Sequence, residues 1–165
     1  MNIPYDVFTS AFLGKVTEYD FLRLEDYDRN KTVDGYMKRA IAAFKHVCEY
    51  DFTNSGDDNV REFDIKPDRD DPTGELQRRL DEALEKDLDE IVEIVSEGML
   101  VQWMKPYFYR ADNLENVLNT ADFSAYSPAE LLYRITNAYH EAKRDFKNMI
   151  KEYSYNHGDL SGLAI

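Results

Sequence analysis

The sequence of 165 residues contains one cysteine, Cys48, and one tryptophan, Trp103. A single cysteine excludes an intramolecular disulfide framework, the usual support of small secreted domains. No apolar run approaches the length of a membrane span, and the N-terminus lacks the basic region and apolar stretch of a secretory signal. We therefore expect a soluble protein that is made in the cytosol and does not enter a membrane.

Sequence patterns for catalysis and metal binding are also missing. There is no His-Glu-x-x-His motif, no paired Cys-x-x-Cys and no glycine-rich phosphate loop. The serines lack the strand–turn–helix context of a nucleophile elbow. The histidines His46, His140 and His157 have no partner at ligand spacing. The sequence therefore predicts no catalytic residue, no cofactor and no enzymatic activity.

Negative charge is what the chain has in excess. Its 33 Asp and Glu residues outnumber its 20 Lys and Arg residues, which gives a formal net charge of −13. Such a surface repels nucleic acid and anionic membranes. One acidic cluster has the spacing to bind a metal across two helical turns, although an exposed helix face is the favoured interpretation: Asp87, Asp89, Glu90 and Glu93.

Apolar residues recur at spacings of three and four through most of the chain, which predicts an all-α fold. The length fits one domain with its own core. We expect a small bundle of about four to five helices. The predicted helices cover 5–14, 31–50, 74–105, 113–119 and 128–153. The last begins at a capping box, Ser127-Pro128-Ala129-Glu130, with proline at its first position.

The stretch GMLVQWMKPYF, residues 98–108, contains the tryptophan and a proline three residues later. Trp103 continues the apolar stripe of the predicted helix 74–105, so we expect it in the core. Pro106 lacks an amide hydrogen and disfavours helix at the residue before it, which predicts a helix end near Lys105. Gly98 is expected to be a weak point that costs about 1 kcal/mol relative to alanine.

The segment 51–73 is polar and contains Gly56, Pro67 and Pro72, which predicts a long acidic surface loop with a short strand possible at 60–65. Five of its residues fall on ligand positions of an EF-hand calcium loop: Asp51, Thr53, Ser55, Asn59 and Glu62. Thr53 and Ser55 replace carboxylates poorly, Asp58 stands where an aliphatic residue packs, and Pro67 takes the place of an exiting helix. A polar loop is therefore favoured over a calcium site.

Aromatic residues gather at two predicted helix ends: Tyr107, Phe108, Tyr109, Tyr153 and Tyr155. Aromatic side chains combine a large contact area with a polar tip and are enriched at protein interfaces. They are equally common where a helix end closes a core. Both interpretations stand for these five residues.

Five segments occur in an order that resembles one known family. They are VFTSAFLGKVTEYDFLRL, YMKRAIAAFKHVC, LDEIVEIVSEGMLVQWMKPYF, LENVLNTADFSAYSPAELL and KNMIKEYSYNHGDLSGL. In this order they resemble the small helical head–tail adaptor proteins, also called connector or neck proteins, of long-tailed bacteriophages that infect Gram-positive hosts. The resemblance covers nearly the whole chain except about 66–86, where this sequence is longer and more charged.

The resemblance implies a virion structural protein of the neck between capsid and tail, assembled in the host cytoplasm. Such proteins bind the portal ring, form a roughly twelve-fold ring that extends the DNA channel, and offer a docking surface to the stopper or tail. Genome DNA passes without specific binding. The resemblance divides the chain into a helical adaptor domain, 1–155, and a C-terminal tail, 156–165. The resemblance implies that the portal contacts are Tyr155, the last residue of the adaptor domain, and Leu160, Leu163 and Ile165 of the tail.

Two hypotheses from other classes stay open. The first is an acidic helical inhibitor or DNA-mimic protein that binds a basic host factor, which the net charge favours. The second is a calcium-responsive protein built on the segment 51–62.

Overall fold

The computed structural model describes residues 2–16, 26–48, 50–55, 62–67, 75–118 and 128–157. Most of these residues are helical, and the predicted all-α class is confirmed. The elements follow in the order β1 (Asn2–Pro4), α1 (Tyr5–Lys15), α2 (Asp26–Phe44), β2 (Tyr50–Ser55), β3 (Glu62–Pro67), α3 (Glu75–Leu118) and α4 (Pro128–His157).

Helix α3 is the centre of the bundle, since α1, α2 and α4 all pack against it. Its stripe at spacings of three and four is buried as predicted, with Leu84, Ile91 and Met99 almost fully enclosed. The fully buried core draws on all four helices and on β1 in the described chain; its largest members include Ile3, Phe8, Phe12, Met37, Phe44, Leu84, Ile91, Ile94, Met99 and Tyr153.

Three helices come close together at Gly98. A Cβ atom at this position would lie 2.8 Å from the Cβ of Ala40 in α2 and 2.8 Å from two ring carbons of Phe146 in α4. The absence of a side chain therefore lets α3 touch both neighbours at one level. The helix-propensity cost expected for Gly98 is therefore accompanied by a packing requirement for glycine.

Helix α3 continues through Pro106 to Leu118. The predicted stop near Lys105 and the predicted separate helix at 113–119 are therefore wrong. Packing on both sides of the proline offsets the missing hydrogen bond. Trp103 is partly buried against the core, as predicted, and the ring of Phe108 stacks on that of Tyr139 in α4 at 4.6 Å. The prolyl side chain itself faces solvent.

The segment predicted as a long acidic loop, 51–73, contains most of a β-hairpin. Strand β3 pairs antiparallel with both β1 and β2, in the sheet order β1-β3-β2. Phe63 explains why: its side chain is buried, stacks on Tyr5 at 4.4 Å and meets the edges of Phe8 and Phe52 at 5.8 Å. The loop predicted for 51–55 is therefore wrong, whereas the short strand predicted at 60–65 corresponds to β3 at 62–67. Aromatic packing on α1 stabilises extended chain there.

A Gly98→Ala substitution is expected to lower the free energy of unfolding by about 1–3 kcal/mol, because the new methyl group overpacks the crossing of three helices. Urea denaturation followed by circular dichroism measures the change.

Gly35→Ala is the matched control, since Gly35 also lies inside a helix but an added Cβ there has nothing within 4 Å. It is expected to raise the stability by about 0.5–1 kcal/mol. Equal effects of the two substitutions would contradict the packing role of Gly98.

Candidate functional site

The C-terminal end of α4 is fixed by a buried tyrosine. Tyr153 has no exposed surface, and its ring meets the edge of Phe44 at 4.9 Å and stacks on the ring of His157 at 4.1 Å. Its hydroxyl lies 4.0 Å from the Sγ atom of Cys48. These contacts join the last turns of α4 to the end of α2 and to the segment that follows it.

His157 closes the same cluster from the last turn of α4. Its Nε2 atom lies 3.2 Å from Oε2 of Glu90 and its Nδ1 atom lies 3.6 Å from Oδ2 of Asp87, both on α3. The Tyr50 hydroxyl donates a hydrogen bond to the same Asp87 oxygen at 3.4 Å. We call the six residues the helix-end cluster: Cys48, Tyr50, Asp87, Glu90, Tyr153 and His157.

The helix-end cluster could not be predicted from the sequence. The sequence predicted no partner for His157 at ligand spacing, and the carboxylates that contact it lie 67 and 70 residues earlier in the chain. The only local signal is that Asp87 and Glu90 stand three residues apart and so share one helix face.

The helix-end cluster is built to hold a helix end in place. Burial raises the pKa of the Tyr153 hydroxyl far above its usual range, with further contributions from Cys48, Tyr50 and Asp87. The hydroxyl is therefore neutral over the physiological range of pH. The contacts of Tyr153 and His157 link α4 to α3 and to the segment that follows α2, and the hydrogen bond from Tyr50 to Asp87 links β2 to α3.

The predicted acidic cluster on α3 does not act as one group. Asp87 and Glu90 face His157, whereas Glu93 binds Lys15 of α1 at 2.6 Å and Asp89 is exposed. Within the described ranges, no group of three or more His, Cys, Asp or Glu residues is arranged to hold a metal ion.

The EF-hand-like residues occupy the hairpin instead of a calcium loop. Asp51 binds Lys45 at 2.8 Å, and the Thr53 hydroxyl donates to the carbonyl oxygen of Asp64 at 3.1 Å. Ser55 pairs with Glu62 across the ladder, so Asp51 stands four residues, or about 13 Å, along the strand from that pair. The ends of a calcium loop converge on one ion, which this geometry does not achieve. Asn59 lies outside the described residues.

The expected partner-binding residues have one described member. Tyr155 is 75% exposed, although Tyr153, two residues earlier, is fully buried. Leu160, Leu163 and Ile165 lie outside the described residues. Of the other aromatic residues at helix ends, Phe108 packs against the core and Tyr109 is 53% exposed. The structure thus assigns Tyr153 and Phe108 to packing and leaves Tyr109 and Tyr155 on the surface.

Comparison of this chain with protein-family models, curated proteins and solved structures finds no match. None of the helices that the structure describes has both the length and the apolar character needed to cross a bilayer.

The pH dependence of the free energy of unfolding in alkaline solution tests the role of Tyr153 in the helix-end cluster. Because the pKa of Tyr153 is higher in the folded chain than in the unfolded chain, the folded state binds more protons above about pH 10. The contribution of Tyr153 to the free energy of unfolding is thus fully present below about pH 10, and it is lost progressively as the pH rises above that value. Denaturation at pH 8 to 11 is expected to show a shallower fall for Tyr153→Phe than for the wild type.

Tyr133→Phe provides the control, since Tyr133 also lies on α4 but is 67% exposed. Its stability should follow that of the wild type at every pH. A Tyr153→Phe curve parallel to the wild-type curve would show that Tyr153 does not couple proton binding to folding.

Proposed function

We propose that this chain is a virion structural protein, a head–tail adaptor that binds a portal ring, extends the DNA channel and offers a docking surface to the stopper or tail. The order of the five sequence segments supports the proposal, and so does the helical bundle that the structure describes, because the family that the segments resemble is helical. The function needs no cofactor and no catalytic residue. It locates the protein in the neck of the virion after assembly in the host cytoplasm.

The observation that carries the proposal is the contrast between two tyrosines at the end of α4. Tyr153 is enclosed by the helix-end cluster, whereas Tyr155 projects into solvent with 75% of its surface exposed. A large exposed aromatic side chain on a fixed helix end is suited to insertion into a partner. The sequence continues from there to Leu160, Leu163 and Ile165, which are apolar and spaced as anchors. We assign these four residues to the portal.

Self-association into a ring of about twelve subunits belongs to the same proposal. A closed ring requires two different faces on each subunit. The outward faces of α3 and α4 carry exposed side chains along their described lengths and are available for that purpose. Genome DNA would pass through the ring without specific binding, because a net charge of −13 repels phosphates.

An acidic inhibitor or DNA mimic is the second candidate. Exposed carboxylates on one face of α3, at Glu82, Glu85 and Asp89, favour it because a row of negative charges can imitate a phosphate backbone. Such a protein would bind a basic host protein and would be absent from purified virions. An adaptor would be present in virions and would bind a portal.

A deletion of residues 158–165 tests the portal contact while it retains His157 and the helix-end cluster. We expect the helical circular dichroism signal and the melting temperature to stay unchanged. Co-sedimentation with the portal ring encoded in the same genome should weaken by about tenfold or more, because the apolar anchors are lost. Full portal binding by the truncated chain would reject the assignment of the tail.

Tyr155→Ala is expected to weaken the same binding by about tenfold, since exposed aromatic anchors dominate interface energies. Tyr109→Ala is the matched control, an exposed tyrosine on a different helix, and should bind the portal as the wild type does. Equal losses from both substitutions would contradict a specific role for Tyr155.

A further inference from the structure

The outer face of α4 is basic, in contrast to the strongly acidic chain as a whole. Its positively charged side chains and one histidine lie along the side opposite the buried stripe of Tyr139, Ala142 and Phe146. We call this set the basic stripe: His140, Lys143, Arg144, Lys147 and Lys151. All five side chains are exposed.

Tyrosines stand at both ends of the basic stripe. Tyr133 and Tyr155 are 67% and 75% exposed, more than any other large hydrophobic side chain that the structure describes. Tyr133 lies seven residues before His140, and Tyr155 lies four residues after Lys151. Between them the members of the basic stripe recur at spacings of three and four, so the tyrosines and the stripe share one helix face. A row of cations bounded by exposed aromatic rings has the composition of a protein interface.

Few of these cations are neutralised within the subunit. Arg144 contacts Glu141 at 3.5 Å and Asp145 at 3.6 Å on its own helix, and Lys143 lies over the Tyr139 ring at 5.7 Å. In the part of the chain that the structure describes, Lys147 and Lys151 form no ion pair. The basic stripe therefore has charge left for a partner.

The same chain carries a complementary row on α3. Four exposed carboxylates recur at intervals of three and four residues, and we call them the acidic stripe: Glu82, Glu85, Asp89 and Glu93. Glu93 also binds Lys15, which fixes that end of the row. The acidic stripe spans 12 residues, as does the run from His140 to Lys151, so both rows are roughly 16 Å long.

Nucleic acid is the less suitable partner for the basic stripe. Domains that bind phosphate backbones typically combine a basic stripe with a pI above about 9, whereas this chain has a pI of about 4.6. At about 0.1 M salt, charges more than about 10 Å apart are largely screened, while side chains in contact are not. The repulsion between two acidic subunits is then weakened, and a local match between the stripes can determine how they meet.

We propose that the basic stripe of one subunit docks on the acidic stripe of a second copy of this chain. The stripes lie on different helices, so the contact is heterologous and can continue from subunit to subunit. The inference rests on the proposed self-association of the adaptor and identifies the two faces that meet. Tyr133 and Tyr155 lie at the two ends of this contact, and Tyr155 thus borders both a neighbouring subunit and the expected portal contact.

Charge reversal tests the pairing of the stripes. Lys147→Glu with Lys151→Glu cancels the positive charge of the basic stripe, because only Lys143 and Arg144 remain against the two new carboxylates. Glu85→Lys with Asp89→Lys cancels the negative charge of the acidic stripe in the same way. Sedimentation velocity at about 100 μM protein and about 0.1 M salt is expected to show oligomers for the wild type and monomers for each double variant. A mixture of the two double variants should form oligomers again, because the lysine variant retains the acidic stripe and the other variant retains the basic stripe.

Lys38→Glu with Arg39→Glu is the matched control, because it changes the net charge as much as the lysine reversal does, on an exposed part of α2. It should form oligomers like the wild type, and circular dichroism should be the same for every variant. If a reversal variant loses its helical signal, Lys147→Gln with Lys151→Gln takes its place, with an expected loss of association of about tenfold.

Three results would overturn the proposal, and none of them bears on portal binding by the tail. The first is a wild-type chain that stays monomeric throughout. The second is oligomers that persist in both reversal variants. The third is a monomeric wild type that binds duplex DNA and loses this binding on Lys147→Glu with Lys151→Glu, which would make a nucleic acid the occupant.

Discussion

The close crossing of three helices at Gly98 is the constraint on which the rest of the structure depends. Because this residue has no side chain, α3 can contact Ala40 of α2 and the ring of Phe146 of α4 at the same level. The crossing brings the end of α2 and the last turns of α4 within reach of each other, so that Phe44 meets Tyr153. The helix-end cluster lies where these two helix ends meet.

Periodicity predicted the helices well because apolar spacing is a local property. Helix α1 ends one residue after its predicted stop, and α4 begins at the proline of its capping box. The short strand predicted at 60–65 overlaps β3, but β2 and its pairing were missed because the hairpin depends on Phe63 reaching Tyr5 and Phe8, more than fifty residues earlier. The helix end at Pro106 was predicted wrongly because the local cost of proline is offset by tertiary packing of Trp103 and Phe108. His157 illustrates the same limit, since its carboxylate partners lie on another helix.

The structure combines a fixed interior with outward faces of opposite charge. Inside, Tyr153 is enclosed and the end of α4 is held by contacts to α2, α3 and the segment before β2. Outside, the same helix presents a basic stripe while α3 presents an acidic one. This division suits a part that must keep its own shape while it meets several neighbours at once. It supports the proposal of an assembly protein and relates each proposed contact to a different surface.

Electron microscopy of the protein mixed with a portal ring tests the central claim most directly. The claim is that this chain is an adaptor that assembles on a portal. We expect a second ring of density, made of about twelve helical bundles, on one face of the portal and continuous with its channel. Bare portal rings beside free protein, at concentrations where the portal is intact, would contradict it.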